Sequence, residues 1–184
     1  MALYTKKIYF AGGDFHELQA VFANQRGVTE TRTGYINAEG EADFAAVATG
    51  KVKARMGVEV AFDPKKTDIS TLLDILFAAV NPYVPDGQGK ARGEMYRAGV
   101  FYTSAEDEPQ IELYLNFIAT RGKPPTGGAC TEIIVNDPNS DQRRTRKLCA
   151  TAERLKNFQA AEEEHQDYLK KHPETETFLN LAVE

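Results

Sequence analysis

Asp14 and His16 stand two residues apart directly after the glycine pair Gly12 and Gly13, and this is where the sequence offers acid/base chemistry. A carboxylate can orient an imidazole and stabilise its charged form. The imidazole, with an ordinary pKa of about 6.5, can take and return a proton near neutrality. A plainer role competes with this one. Aspartate is a favoured helix N-cap, and Glu17 three residues on completes a capping box worth about 1 kcal/mol. The position also constrains the chemistry: a helix N-terminus stabilises a carboxylate while burial against Phe15 destabilises it. Asp14 therefore suits a general base, or an anchor for a cationic centre, better than a general acid.

The remaining reactive side chains are sparse. Cys130 and Cys149 match neither a disulfide framework nor a C-x2-C metal spacing, and each reads as a reduced thiol. His16, His165 and His172 show no metal-motif spacing with them, so no metal and no cofactor is expected. Arg143, Arg144, Arg146 and Lys147 form a short basic cluster, either a solvated linker or helix end, or a site for an anionic partner.

Elements must position these groups. Lys6 to Phe10 reads as a strand ending in the glycine turn. The helix capped by Asp14 then buries Leu18, Val21 and Phe22 and closes at Gly27. Val28 to Tyr35 suggests an edge strand, and Asp43 to Thr49 at best a short helix. Met56, Val58, Val60 and Phe62 alternate as a half-buried strand that Asp63 and Pro64 end. Asp68 caps a helix from Ile69 to Val80 with Leu72, Leu73, Leu76 and Phe77 on one stripe. Pro82 to Gly93, with two prolines and three glycines, is a long loop. Tyr96 to Tyr102 and Cys130 to Val135 read as strands, and Ala105 to Arg121 as a helix with Pro109 in its first turn. The chain is expected to become helical again from about Thr151, with a last helix from Ala160 to Lys171. Interleaved helices and strands imply an α/β or α+β domain with a mixed sheet.

Composition sets outer limits. The chain has 184 residues, 42% of them hydrophobic. That suits one domain over 1–184. A net charge of -5 gives no general attraction to nucleic acid or anionic membranes. No apolar run approaches the roughly 18 residues of a membrane span, so a cytoplasmic protein is expected.

The run Phe10-Ala11-Gly12-Gly13-Asp14-Phe15-His16 resembles the F-x-G-G-C-F-W signature of the A-type peptide methionine sulfoxide reductases, with aspartate at the cysteine and histidine at the tryptophan. Gly34-Tyr35 is similar to the family's G-Y step. Thr49-Gly50 with Val58 to Pro64 is similar to its S-G-x(7)-V-x-V-x-[FY]-D-P block. Gln88, Gly89, Gly93, Tyr96, Arg97, Phe101 and Tyr102 resemble its Q-G-x-D-x-G-x-Q-Y-R-S-x-x-F-Y block. Thr131 to Ile133 resembles T-E-I, and Ala161 to Leu169 resembles A-E-x-Y-H-Q-x-Y-L. The matches keep their order over most of residues 6–173. They imply the family's α/β (ferredoxin-like) fold, a two-layer core with added elements, here with a longer charged insertion at about 137–159.

The resemblance also implies what has changed. The family's cysteine thiolate attacks the sulfoxide sulfur. A carboxylate is weakly nucleophilic toward sulfur and forms no sulfenic acid for a second thiol to resolve. The proton-donating glutamate falls near Met56 and the loop aspartate near Ala91, while Tyr35 and Tyr96 are kept as hydrogen-bond donors. Phe15 keeps its place in the aromatic cage that His16 now alters, and His165 belongs to a block that packs near the active site. Asp14, His16, Tyr35 and Tyr96 are thus the expected reacting groups, with Phe15, Met56, Ala91 and His165 lining a small-molecule pocket. Three readings follow: acid/base chemistry without redox, ligand or protein binding without turnover, and residual sulfoxide reduction through Cys149 or Cys130. A thioredoxin partner is not expected.

Overall fold

A computed structural model describes residues 5–80, 87–88, 91–120, 132–135, 144–147, 150–172 and 174. Strand β1 (Lys6–Ala11) runs into the glycine turn and α1 (Phe15–Ala23) follows at once. Then come β2 (Val28–Ile36), α2 (Phe44–Ala48), β3 (Arg55–Phe62), α3 (Ile69–Ala79) and the hairpin arms β4 (Gly87–Gln88) and β5 (Ala91–Arg92). A 3-10 turn, Glu94–Tyr96, leads to β6 (Gly99–Tyr102) and α4 (Glu108–Thr120). The ribbon of β7 (Glu132–Val135) and β8 (Arg144–Lys147) precedes β9 (Thr151–Arg154), β10 (Phe158–Ala160), a 3-10 turn Glu163–His165 and α5 (Tyr168–Lys171).

One mixed sheet in the order β10-β2-β3-β1-β6-β9 carries the domain. Only the β6–β9 pair is parallel; the others are antiparallel. The period-two alternation of β1 sorts its side chains between two layers. Ile8 and Phe10 join Leu18 and Phe22 of α1, Leu72, Leu73 and Leu76 of α3, and Ile111 and Leu115 of α4 in the main core. Tyr9 and Ala11 face the other way, onto Ile36 and Phe101 with Leu155 and Phe158 packed against them. The expected two-layer mixed-sheet architecture is the observed one. Among the described residues no helix is long and apolar enough to cross a membrane.

Several local expectations give way to tertiary context. Strand β3 is buried along nearly its whole length rather than half-buried, because both faces of the sheet are covered where it lies between β1 and β2. Glu59, on its far face, survives burial because Arg32 donates to Oε1 from Nε at 2.9 Å and from Nη2 at 2.7 Å, and the Tyr9 hydroxyl donates to Oε2 at 2.8 Å. Strand β2 is an interior strand over Gly34–Ile36, where β10 pairs with it, and not an edge along its full length. Helix α1 ends at Ala23, four residues before Gly27, which takes a left-handed φ of 86° in the turn to β2. The strand read from Tyr96 begins only at Gly99.

The largest correction concerns the C-terminal third. Thr151–Arg154 and Phe158–Ala160 are strands, and the helix read over residues 160–171 shrinks to a 3-10 turn and one turn of α5. Helix propensity is a weak prior, and two open sheet edges supplied stronger partners: β6 accepts β9 and β2 accepts β10. Arg144, Arg146 and Lys147 of the basic run lie on a strand, β8, rather than in a linker or helix end, and Arg143 lies outside the described residues.

Gly57 and Gly34 face each other across β3 and β2. A Cβ on Gly57 would run into the Phe10 carbonyl oxygen and Ile36 Cδ1, so the central strands sit too close for any side chain there. Gly57→Ala is expected to lower stability by about 1–3 kcal/mol, as overpacking does, in urea denaturation followed by circular dichroism.

Candidate active site

The site begins at a turn that only glycine makes easily. Gly13 has a left-handed φ of 71°, and its N–H donates to the Tyr96 carbonyl at 2.9 Å, tying the turn after β5 to the start of α1. Asp14 then takes the extended N-cap conformation, and its Oδ1 accepts the backbone N–H of His16 at 2.8 Å. The cap thus serves the second helical residue rather than Glu17, which the capping-box spacing had suggested. The same Oδ1 lies 3.2 Å from Nδ1 of the His16 ring. One carboxylate oxygen holds both the backbone and the side chain of His16.

The other ring nitrogen, Nε2, lies 2.9 Å from Nδ1 of His165, 149 residues away. In the tautomer in which Asp14 accepts the His16 Nδ1 proton and Nε2 carries none, Nε2 accepts the His165 Nδ1 proton; the reverse tautomer has His16 donating to His165. Flat contacts lock the pair: His16 stacks on Tyr168 at 4.2 Å between centroids, and His165 on Phe44 at 4.3 Å. Phe15 lies beneath, within 6.0 Å of Tyr35 and 5.9 Å of His165.

What carries His165 to His16 is Gln166. Its side-chain amide accepts the Thr33 N–H and donates to the Thr33 carbonyl, both at 2.9 Å, beside the Ala161 N–H that donates to the same carbonyl just beyond β10. Gln19 of α1 accepts the Asp167 N–H at 2.8 Å from the other side. Glu162 closes the arrangement. Its Oε1 accepts the Tyr35 hydroxyl at 2.8 Å and its Oε2 the Phe44 N–H at 3.3 Å. Beyond His165, Nε2 faces Glu162 Oε2 at 3.7 Å and Glu164 Oε1 at 3.6 Å. These three residues are the group that could hold a metal ion among the described residues.

Burial and charge act in opposite directions along this chain of contacts. Burial pushes the Asp14 carboxyl up, but the His16 hydrogen bond and charge, the His16 backbone N–H and the charge of His165 outweigh it, leaving the group below the ordinary carboxylate value. Burial and the neighbouring His16 lower the His165 pKa despite Glu162, Glu164 and Asp14, which favours a neutral ring. The Tyr35 phenol is raised well above its ordinary value by burial and by Glu162, and Tyr96 is raised by burial and by the charge of Asp14. Both phenols remain proton donors at neutral pH.

A family model described as peptide methionine sulfoxide reductase matches residues 6–134. A peptide methionine sulfoxide reductase of Mycobacterium tuberculosis is 36% identical over 172 residues, covering 92% of this chain and 80% of the relative. One from Mycoplasma genitalium is 29% identical over 170 residues, covering 91% and 94%. This chain belongs to the peptide methionine sulfoxide reductase family. Solved structures agree on the fold. Reduced Mxr1 from Saccharomyces cerevisiae superposes with a TM-score of 0.76 at 22% identity, covering 95% of this chain and 89% of that one. Methionine sulfoxide reductase A of Corynebacterium diphtheriae gives 0.66 at 20% identity, covering 94% and 77%.

Within this member of the reductase family, the residues singled out from sequence gather at one end of the sheet. Phe15, Tyr35 and Met56 are buried in one cluster with Ala161, and Phe44, Met95 and Tyr96 pack against it. His16 and His165 are in direct contact. Ala91 lies on β5, its side chain outside the described residues, as are Cys130, Cys149 and Arg143. Sequence reading missed Phe44 and the joint approach of Glu162 and Glu164 to His165. The E-x-E-H spacing on one turn was the available signal, and it was obscured by reading that stretch as the lead-in to a long helix. An open groove of about 540 Å³ borders His16, with Gln19, Asn24, Glu30, Tyr168 and Lys170 among its walls. That volume is within the range of small-molecule sites, but Asp14, Phe15, Tyr35, Tyr96 and His165 are not among its walls.

Asp14→Ala is expected to cost about 1 kcal/mol at pH 7 through loss of the cap. Because the folded Asp14 carboxyl titrates below its ordinary value, its stabilisation is complete above about pH 3.9 and is lost as pH falls through the lower folded value. Urea denaturation should therefore show the gap between parent and variant shrinking only in acid.

Proposed function

We propose that this family member has given up thiol-based sulfoxide reduction and performs acid/base chemistry without redox on a small organic molecule: isomerisation, cyclisation, hydration or hydrolysis. The observation that carries the reading is the continuous contact from Asp14 through His16 to His165, at 3.2 and 2.9 Å. Asp14 stands where the resemblance puts the nucleophilic cysteine, and it comes with the ionisable His16 rather than with inert replacements. Its Oδ1 is engaged by His16, which leaves Oδ2 to meet the substrate. An ionised Oδ2 can hold an electropositive centre or, as a weak base whose carboxyl lies below the ordinary value, accept a proton. His16 then compensates the change in charge, the Tyr35 phenol holds Glu162, and the Tyr96 phenol can donate a hydrogen bond to the substrate.

Met56, at the position implied for the family's glutamate, is buried beside Tyr35 and supplies no proton. This supports a changed reaction rather than the same one with a substituted nucleophile. Residues 1–184 work as one domain in this reading, and no thioredoxin is needed because no disulfide forms on Asp14. The relatives are named as reductases, so reduction through Cys130 or Cys149 is the reading to test against it.

A dithiothreitol-dependent assay on a methionine sulfoxide peptide should show no reduction by the parent, and Asp14→Cys should gain a thiol that dimedone labels after peroxide. Incubation with cell metabolite extracts, followed by mass spectrometry, should yield products isomeric with substrate or differing from it by one water. That turnover should disappear in Asp14→Asn and His16→Ala. Loss of one oxygen atom from sulfoxides by the parent, abolished when both cysteines are changed to serine, would overturn the proposal. So would turnover unchanged in both site variants.

A further inference from the structure

The 3-10 turn that follows β10 aims three electron-pair donors at one point, and we propose that Glu162, Glu164 and His165 bind a divalent transition-metal ion. Three residues per turn bring Glu162 and His165 to the same side. His165 Nε2 lies 3.7 Å from Glu162 Oε2 and 3.6 Å from Glu164 Oε1, and all three donor atoms lie within 4.8 Å of one another. These separations exceed the roughly 2.7–3.2 Å of a hydrogen bond. They are close to the spacing of ligands around a shared ion, about 3.3–3.5 Å when each stands about 2.0–2.2 Å from a tetrahedral centre.

The nitrogen itself supplies an independent argument. Among the described residues nothing is hydrogen-bonded to His165 Nε2, and the nitrogen is not sealed from solvent, so an ion can reach it. The ring cannot turn to find a partner, because His16 holds Nδ1 at 2.9 Å and Phe44 covers one face. A proton donated by Nδ1 to His16 leaves Nε2 as a lone pair facing two carboxylates. In that tautomer three Lewis bases face one another, and a cation between them would relieve their repulsion.

The surroundings orient the ligands as metal sites require. The Tyr35 hydroxyl and the Phe44 N–H fix Glu162, and the Asp14–His16 pair fixes His165, which is the carboxylate–histidine support that tunes ligating imidazoles. One imidazole with two carboxylates suits Zn2+, Mn2+ or Fe2+ over Mg2+ or Ca2+, which prefer oxygen alone. Three protein ligands leave room for water or a substrate oxygen. Sequence spacing pointed away from a metal because it was sought between histidines and cysteines; the donors instead come from one turn. The inference does not rest on the acid/base reading, since it concerns occupancy and not turnover.

The full-length protein, stripped with a chelator, is titrated with Zn2+ by calorimetry and with Co2+ by absorption. One equivalent should bind, and the cobalt form should show visible d–d bands without a thiolate charge-transfer band. Glu164→Gln, at a position exposed enough to leave folding intact, should weaken binding at least about tenfold, and His16→Ala about ten- to a hundredfold. Cys130→Ser/Cys149→Ser should bind as the parent does. His165→Ala should abolish binding, with circular dichroism confirming that it folds. Absence of stoichiometric binding by the parent, affinity unchanged in Glu164→Gln, or loss of binding in the serine variant would each overturn the proposal. Failure here leaves turnover in the metabolite assay untouched, so the two proposals fail separately.

Discussion

A single oxygen, Oδ1 of Asp14, decides how this end of the molecule is built. It accepts the His16 N–H that starts α1 and also meets the His16 ring, so helix initiation and imidazole orientation are one event. Everything downstream inherits that orientation. With Nδ1 held, Nε2 has a single direction, and His165 meets it there. The stack of Phe44, His165, His16 and Tyr168 then follows from two fixed rings. A thiol at this position would accept the backbone hydrogen bond only weakly, so the carboxylate couples the helix start to the ring more tightly.

The second constraint is the need to close the sheet. With β1, β2, β3 and β6 alone, both edges would be open to pairing with other chains. Residues 151–160 cover both, β9 beside β6 and β10 beside β2, and the chain leaves β10 pointing at α1. Gln166 continues the edge by imitating a strand at Thr33, which places His165 and Glu162 over the Phe15 and Tyr35 cluster. Satisfying backbone groups and assembling the site are therefore the same step in folding.

This explains which parts could be read in advance. The β1 strand, the Asp14 cap, the stripe of α3 and the Asp68 N-cap are local: propensity, periodicity and a capping side chain within three residues agree. The meeting of Phe15, His16, Tyr35 and Met56 followed from the ordered motif matches. Residues 151–171 could not be read this way. Their glutamates, alanines, leucine and lysines favour helix, and only the open edges of strands far away in sequence make them extended. The Glu162–Glu164–His165 convergence depends on that extension and was hidden with it.

Charge is what these constraints leave behind. Asp14, Glu162 and Glu164 bring three carboxylates around two imidazoles, and burial together with the neighbouring His16 keeps His165 from readily taking up charge. The positive end of α1 compensates only Asp14, since that field falls off within the first turn. Glu162 gains a phenol and an N–H, one on each oxygen, which occupy two of its lone pairs without neutralising it. The excess is therefore negative and sits beside nearly buried rings, where water screens it less than at the open surface. Such a field stabilises a cation more than a neutral molecule. Under the two proposals the same field acts at both ends of the relay, on an electropositive centre at Asp14 and on a cation at His165.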